Sequence, residues 1–391
     1  PSIAEQGGVK FRVQAVDKAG NSGNWSPWRH YFYDTTAPSI PIFSNIDPIT
    51  NSPNQLWSWT ASSDNSGTGI SGYYKRDYSV AANLLGEWGW LGNVLGTSTS
   101  YGEGVWQMEL KSVDKAGNES ELARSAQMVV DLTSPGIPRP LSPTNNAIVN
   151  GAFLLSDWTD SEGANLYIYE SYHDEMAKKL RYRGEFKMSE KSAINVSDSI
   201  FWWRTRVKDE SGNLSDWSNL SKVTIDNVRP TFKAKTSFHD WYRTPQTSFF
   251  EFSDANMPSN YQDPWCEVNT EGNGVSCRTK TNVCDLAGNC VNSELISNPI
   301  NQDFGLPQIS LQVWGRTLSG TASDSLSGIK SMVLKIAKPG QSEVDITPTG
   351  LDNWSYTIPD APLGHYKVRI TAYDWAGNAS EEIIKEYDLN P

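Results

Sequence analysis

Apolar and polar residues alternate along Lys10-Phe11-Arg12-Val13-Gln14-Ala15-Val16 and again along Tyr366-Lys367-Val368-Arg369-Ile370-Thr371-Ala372. A period of two sends one set of side chains into a core and the other into water, so both runs predict half-buried β-strands. Each ends in a turn of one design. Val16-Asp17-Lys18-Ala19-Gly20-Asn21 returns as Val113-Asp114-Lys115-Ala116-Gly117-Asn118 and, drifted, as Lys208-Asp209-Glu210-Ser211-Gly212-Asn213. Cys284-Asp285-Leu286-Ala287-Gly288-Asn289 and Tyr373-Asp374-Trp375-Ala376-Gly377-Asn378 complete the set. The Asp side chain bonds the backbone two residues on and the Gly tolerates positive φ, so the motif predicts a hairpin turn. Its recurrence predicts a repeat protein.

One more strand follows each turn, and then an exit: Asp34-Thr35-Thr36-Ala37-Pro38, Asp131-Leu132-Thr133-Ser134-Pro135, Asp226-Asn227-Val228-Arg229-Pro230, Asp303-Phe304-Gly305-Leu306-Pro307 and Asp388-Leu389-Asn390-Pro391. Proline cannot donate to a ladder, so the exits predict boundaries. They divide the chain into 1–34, 35–131, 132–226, 227–303 and 304–391. The turn aspartates are spaced at 97, 95, 76 and 89 residues, near the length of an immunoglobulin-like sandwich. Within the segments a second strand runs into an acidic loop and a third strand follows, as in Leu56 to Thr60, Asp64, then Gly69 to Tyr74. The strand complement is that of a seven-stranded sandwich. The predicted fold is therefore all-β, a tandem array of Ig-like or fibronectin III-like β-sandwiches, with a short helix expected only over Asp174 to Arg183. Residues 1–34 hold the last two strands of a unit, and a lone hairpin is marginal in water. The chain thus reads as a window on a longer array, its first unit completed by further chain or by a partner.

Composition narrows the function. Forty-five acidic residues against 33 Lys and Arg leave a net charge of -12, with no basic patch among aromatics, which argues against nucleic acid. No apolar run approaches a membrane span. The four His, at 30, 173, 239 and 365, match no nucleophile or metalloprotease motif, so the chain reads as non-enzymatic. Cys266 and Cys277 bracket a Gly-rich hairpin, Cys284 and Cys290 bracket a turn, and no CxxC knuckle or nearby His suggests zinc. Disulfides and an oxidising compartment are expected.

The turn DxAGN, the exit DTTAP and the acidic loop before a Gly-Ile pair (Asp324 before Gly328-Ile329; Asp64 before Gly69-Ile70) resemble bacterial Ig-like repeats of large adhesins and other surface proteins. The third segment, with Phe201-Trp202-Trp203-Arg204-Thr205-Arg206-Val207 and Asp216-Trp217-Ser218, is closer to fibronectin III repeats. The resemblance implies an extracellular or cell-surface stalk. Its partners would be host-cell or neighbouring-cell surface glycans or proteins, or copies of itself.

Placed on such sandwiches, the second-strand loop and the turn share the pole that meets the preceding exit. Three aspartates are then expected at each joint: Asp34, Asp64 and Asp114; Asp131, Asp160 and Asp209; Asp226, Asp254 and Asp285; Asp303, Asp324 and Asp374. Any one of them suits an Asx turn. Three without a counter-charge repel, and a hard dication with oxygen ligands resolves this. Calcium is the expected cofactor, as the resemblance to adhesin repeats also implies. The loop Asp254-Ala255-Asn256-Met257-Pro258 departs most from the pattern. Of the tryptophans, Trp59, Trp158 and Trp203 suit core positions, and Trp25, Trp28 and Trp217 follow turns. Trp88 and Trp90, in the Gly-flanked loop of a long insertion, are the candidate contacts for a glycan or partner. Besides a stalk, the sequence suits accessory repeats of a surface enzyme or a self-assembling filament subunit.

Overall fold

The strands predicted by the alternation are present, and among the described residues there is no helix. The computed structural model describes residues 7–65, 67–235 and 240–391, so His239 lies outside them. The chain divides into two compact units. The first comprises Pro1–Ala147, Leu155–Ala193 and Ile200–Val223, and the second Ile148–Leu154, Ile194–Ser199 and Thr224–Pro391.

The first unit opens on an antiparallel hairpin of Gly7–Phe11 and Arg29–Tyr33. In the following sandwich one sheet holds Ile42–Phe43, Asn54–Thr60 and Gly96–Ser100. The other is built on Gly104–Asp114, flanked by Ile70–Ser79 on one edge and Met128–Val130 on the other. Trp57, Trp59, Tyr73, Met108 and Leu110 fill the space between. Farther on, Ala164–Tyr172 lies between Leu180–Phe186 and Ser199–Asp209. There Trp158 and Trp203 are buried 6.2 Å apart, and Tyr169 stacks on Trp203. Trp203→Ala removes the centre of that cluster and costs about 3–5 kcal/mol, measurable as a lowered urea midpoint with little change in slope.

The expected helix over Asp174 to Arg183 is absent. The Asp174 carboxylate instead accepts the amides of Met176, Lys178 and Lys179, Ala177 takes a positive φ, and the chain enters the strand Leu180–Phe186. Local side-chain bonding outcompetes helix here, as short polar residues commonly do.

The second unit contains Thr231–Ala234, Gln246–Ser253 and Trp265–Val268 as one sheet, and Trp241–Tyr242, Ile300–Gln302 and Gly272–Val275 as another. The hairpin Arg278–Cys284/Cys290–Ile296 lies between Gly272–Val275 and Ile300–Gln302 in sequence. The last sandwich packs Gln308–Ile309, Thr317–Ser323, Gln312–Trp314 and Asn353–Thr357 against Val344–Ile346, Ile329–Ala337, Gly364–Asp374 and Ile383–Leu389. Tyr366, Val368, Ile370 and Ala372 are fully buried, the predicted inward set. The same phase in the first hairpin, Val9, Phe11 and Val13, stays largely exposed.

Candidate metal-binding joints

All five turns of the repeated motif close in the same way. The Asp Oδ1 accepts the amide of the Asn four residues on, at 2.8–2.9 Å. The intervening Gly has φ between 85° and 97° in every copy, a region that a side chain disfavours. Four of the five exits are alike too: Asp34, Asp131, Asp226 and Asp303 each accept, on Oδ1, the amide two residues on. Each aspartate thus makes the local turn bond that its sequence suggests.

Three of the expected sets also converge. In Asp34, Asp64 and Asp114, in Asp226, Asp254 and Asp285, and in Asp303, Asp324 and Asp374, one carboxylate oxygen from each residue lies within 4.8 Å of the others. The exit and turn members are buried and the loop members half-buried. Bonds from backbone to the loop acid set the geometry. Asp324 Oδ1 accepts the amides of Leu326, Ser327 and Gly328, while Ser327 also donates to Asp303 Oδ2. At the first joint Gly69 donates to Asp64 and Thr68 donates to Asp34. A Cβ on Gly67 would collide with both oxygens of Asp64 and with Asp34 Oδ2, so only glycine lets the loop wrap this closely. Among the described residues, no hydrogen-bond donor reaches the enclosed Asp64 Oδ1.

The electrostatics favour anions. The amide of Thr36 leads in holding the Asp34 carboxyl below its ordinary value, against the effect of burial. Burial pushes Asp324 up, but the amides of Leu326, Gly328 and Ser327 outweigh it and leave that carboxyl lowered as well. Both are ionised at neutral pH. Among the described residues, no ion pair reaches Asp64, Asp114, Asp226, Asp254, Asp285, Asp303, Asp324 or Asp374.

Asp131, Asp160 and Asp209 do not come together in this way, contrary to the sequence expectation. Tyr73 and Tyr167 hold equivalent strand positions, and their hydroxyls accept the amides of Ser62 and Ser161. That equivalence puts Gly163, not Asp160, in the place of Asp64. Asp160 is exposed. Asp131, Asp209, Glu162 and Gly163 line an open hollow of about 510 Å³, and the Ser211 hydroxyl donates to Asp131 Oδ2 at 2.7 Å. The Asp254 loop, which departs most in sequence, does deliver its carboxylate. There Asn256 donates its amide to Asp254 and its side chain to Asp226.

Sequence reasoning missed the motif asparagine. At all four joints its Nδ2 donates both to the turn Asp and to the carbonyl of the preceding exit Asp. Asn118 reaches Asp34 O at 3.1 Å, Asn213 Asp131 O at 2.9 Å, Asn289 Asp226 O at 2.9 Å and Asn378 Asp303 O at 2.8 Å. The invariance of Asn across the five copies was the available signal.

Both expected disulfides are present, Cys266–Cys277 and Cys284–Cys290. Trp88 packs its ring on Arg76 and Lys111, and Arg76 in turn pairs with the wholly buried Glu109. Trp90 remains half exposed, edge-on to Tyr74. Tyr74, Trp88, Lys111 and Glu119 line a hollow of about 290 Å³.

Fold and joints together define an array of Ig-like, fibronectin III-like β-sandwiches in tandem, with acidic clusters where one repeat follows another. No protein-family model matches the chain. Exoglucanase B of Cellulomonas fimi is 26% identical over 234 residues, 55% of this chain, and the match spans a fifth of that protein's length. Among solved structures, a tetra-tandem repeat from the extending region of a large adhesion protein aligns over 90% of this chain and all of its own, at 14% identity and a TM-score of 0.34. The FN1-FN3 domains of chicken CNTN1 align over 91% of this chain and all of their own, at 12% identity and a TM-score of 0.21.

Proposed function

We propose that this chain is a non-enzymatic, extracellular spacer whose sandwiches are held in line by calcium at the joints. The observation that carries this is the threefold recurrence of a carboxylate triad with oxygens no more than 4.8 Å apart. Ca²⁺ binds oxygen at about 2.3–2.6 Å, so two ligands of one ion lie at most about 5 Å apart. The enclosed Asp64 Oδ1, without a donor among the described residues, is a second pointer to a cation at the first joint. Asp34, Asp64 and Asp114, Asp226, Asp254 and Asp285, and Asp303, Asp324 and Asp374 would hold the ions, with carbonyls and water completing the shell. Each ion would bridge an exit to the pole of the next repeat and stop a bare Pro-containing linker from swinging. Two disulfides fit an oxidising, extracellular setting.

A second reading, accessory repeats of an enzyme, is favoured by the exoglucanase similarity and by the exposed Trp90 beside Tyr74. In it the 35–131 segment would contact a glycan or a protein. Small-angle scattering with calcium and then with chelator separates the two. Chelation is expected to shorten the maximum dimension and broaden the distance distribution, whereas superimposable curves with a flat thermal titration discard the calcium-stiffened spacer.

A further inference from the structure

The hairpin that presents Asp285 and Asn289 differs from its counterparts in what supports it. In the 35–131, 132–226 and 304–391 segments the strand entering the turn is also paired along its second edge, with Asp114 opposite Ile70, Asp209 opposite Ala164 and Asp374 opposite Ile329. Among the described residues, Arg278–Cys284 pairs only with Cys290–Ile296. The missing edge coincides with the shortest repeat spacing, the 76 residues from Asp209 to Asp285. Both disulfides of the chain fall here. Cys266–Cys277 anchors the start of the hairpin to the strand Trp265–Val268 inside the buried cluster. Cys284–Cys290 closes the base of the turn, where the other joints have only the backbone bridges Val113 to Glu119, Lys208 to Leu214 and Tyr373 to Ala379.

We infer that Cys284–Cys290 is a redox latch on this one joint. Closed, it keeps Asp285 and Asn289 against the Asp226 exit in place of the absent strand. Opened by a dithiol, it releases this joint while the others, held by backbone pairing, stay shut. Cys284 and Cys290 are half-buried, whereas Cys266 and Cys277 are each only 8% exposed, so the latch is the bond that a reductant meets first. A thiolate of the dithiol attacks one sulfur and breaks the S–S bond, and its second thiol resolves the mixed disulfide. Cys284 and Cys290 end as protonated thiols and the reductant as a cyclic disulfide. What then tethers the turn is the ladder of Arg278–Cys284 with Cys290–Ile296, the bond from the Leu286 amide to Asn256, the pairing of Asp285 with Asn289 and the single bond from Asn289 to Asp226 O, with no covalent closure behind them.

Amide hydrogen exchange of the whole chain, read by mass spectrometry, tests this. Chelator is present throughout, so the outcome does not depend on calcium at the joints. Two samples are compared with the oxidised protein: the double variant Cys284→Ser, Cys290→Ser, and the native chain titrated with dithiothreitol until only that pair is reduced. Exchange over residues 286–289 is expected to rise roughly thirtyfold or more, the ordinary strength of a disulfide constraint. Residues 115–118, 375–378 and 246–253 should keep their protection. Unchanged exchange at 286–289 overturns the proposal. So does an equal rise over 246–253, which would mean that the segment unfolds as a whole.

Discussion

Asp324→Asn is expected to cost much more stability with calcium than without it. In chelator the variant melts slightly below the native temperature, because, despite burial, the amides of Leu326, Gly328 and Ser327 favour the charged carboxylate that it lacks. The asparagine Oδ1 still accepts from Leu326, Ser327 and Gly328, so the loop keeps its shape. In calcium at about 100 times the dissociation constant, the native site gains about 2.7 kcal/mol that the variant lacks. For a domain of this size that separates the melting temperatures by roughly 10–20 °C. Differential scanning calorimetry with and without calcium reads both halves. A variant that is less stable by the same amount in both buffers makes Asp324 a turn residue and nothing more. Asp160→Asn is the matched control, since Asp160 is exposed and outside the converging sets. It should leave both curves unmoved.

Asn378→Ala should destabilise the last sandwich by about 2–4 kcal/mol, with calcium or without it. The side chain is 8% exposed, and its Nδ2 donates at 2.8 Å to both Asp303 O and Asp374 Oδ2. Truncation leaves a carbonyl and a carboxylate enclosed without a donor, at about 1–3 kcal/mol each and more for the charge. The loss also cuts a side-chain bond from the turn to the exit backbone, so the melting transition should broaden as the joint loosens. Asn213→Ala tests the same clamp where the carboxylates do not converge, and an equal loss there assigns the clamp a role independent of any ion. If Asn378→Ala changes stability by less than about 1 kcal/mol, the clamp is incidental.

Most of the local structure was legible in the chain. Alternation placed the strand Gly364–Asp374 and named its buried set, Tyr366, Val368, Ile370 and Ala372, because a strand's period fixes which side chains share a face. The repeated turn announced its own closure, since an Asp, a Gly and an Asn at that spacing bond one another whatever surrounds them. Both cysteine pairs were legible from their closeness along the chain, but only Cys284 and Cys290 bracket a hairpin, since Trp265–Val268 and Gly272–Val275, between Cys266 and Cys277, join different sheets instead of pairing as expected. Asp174 to Arg183 was misread because charge spacing says nothing about an Asp side chain that competes for the same amides.

The sequence by itself determined the repeat, its exits and the supply of one acid per loop. Only the tertiary structure decided which acids meet. A shift of a few residues moves a carboxylate off the pole, as Gly163 stands where Asp64 does and leaves Asp160 in solvent, while the irregular Asp254 loop still arrives with the help of Asn256. The recurring asparagine was visible in the chain, but not that Asn118, Asn213, Asn289 and Asn378 each tie to the exit carbonyl of the preceding repeat. Contacts between groups 63 to 84 residues apart depend on where two loops end in space, which spacing along the chain does not encode.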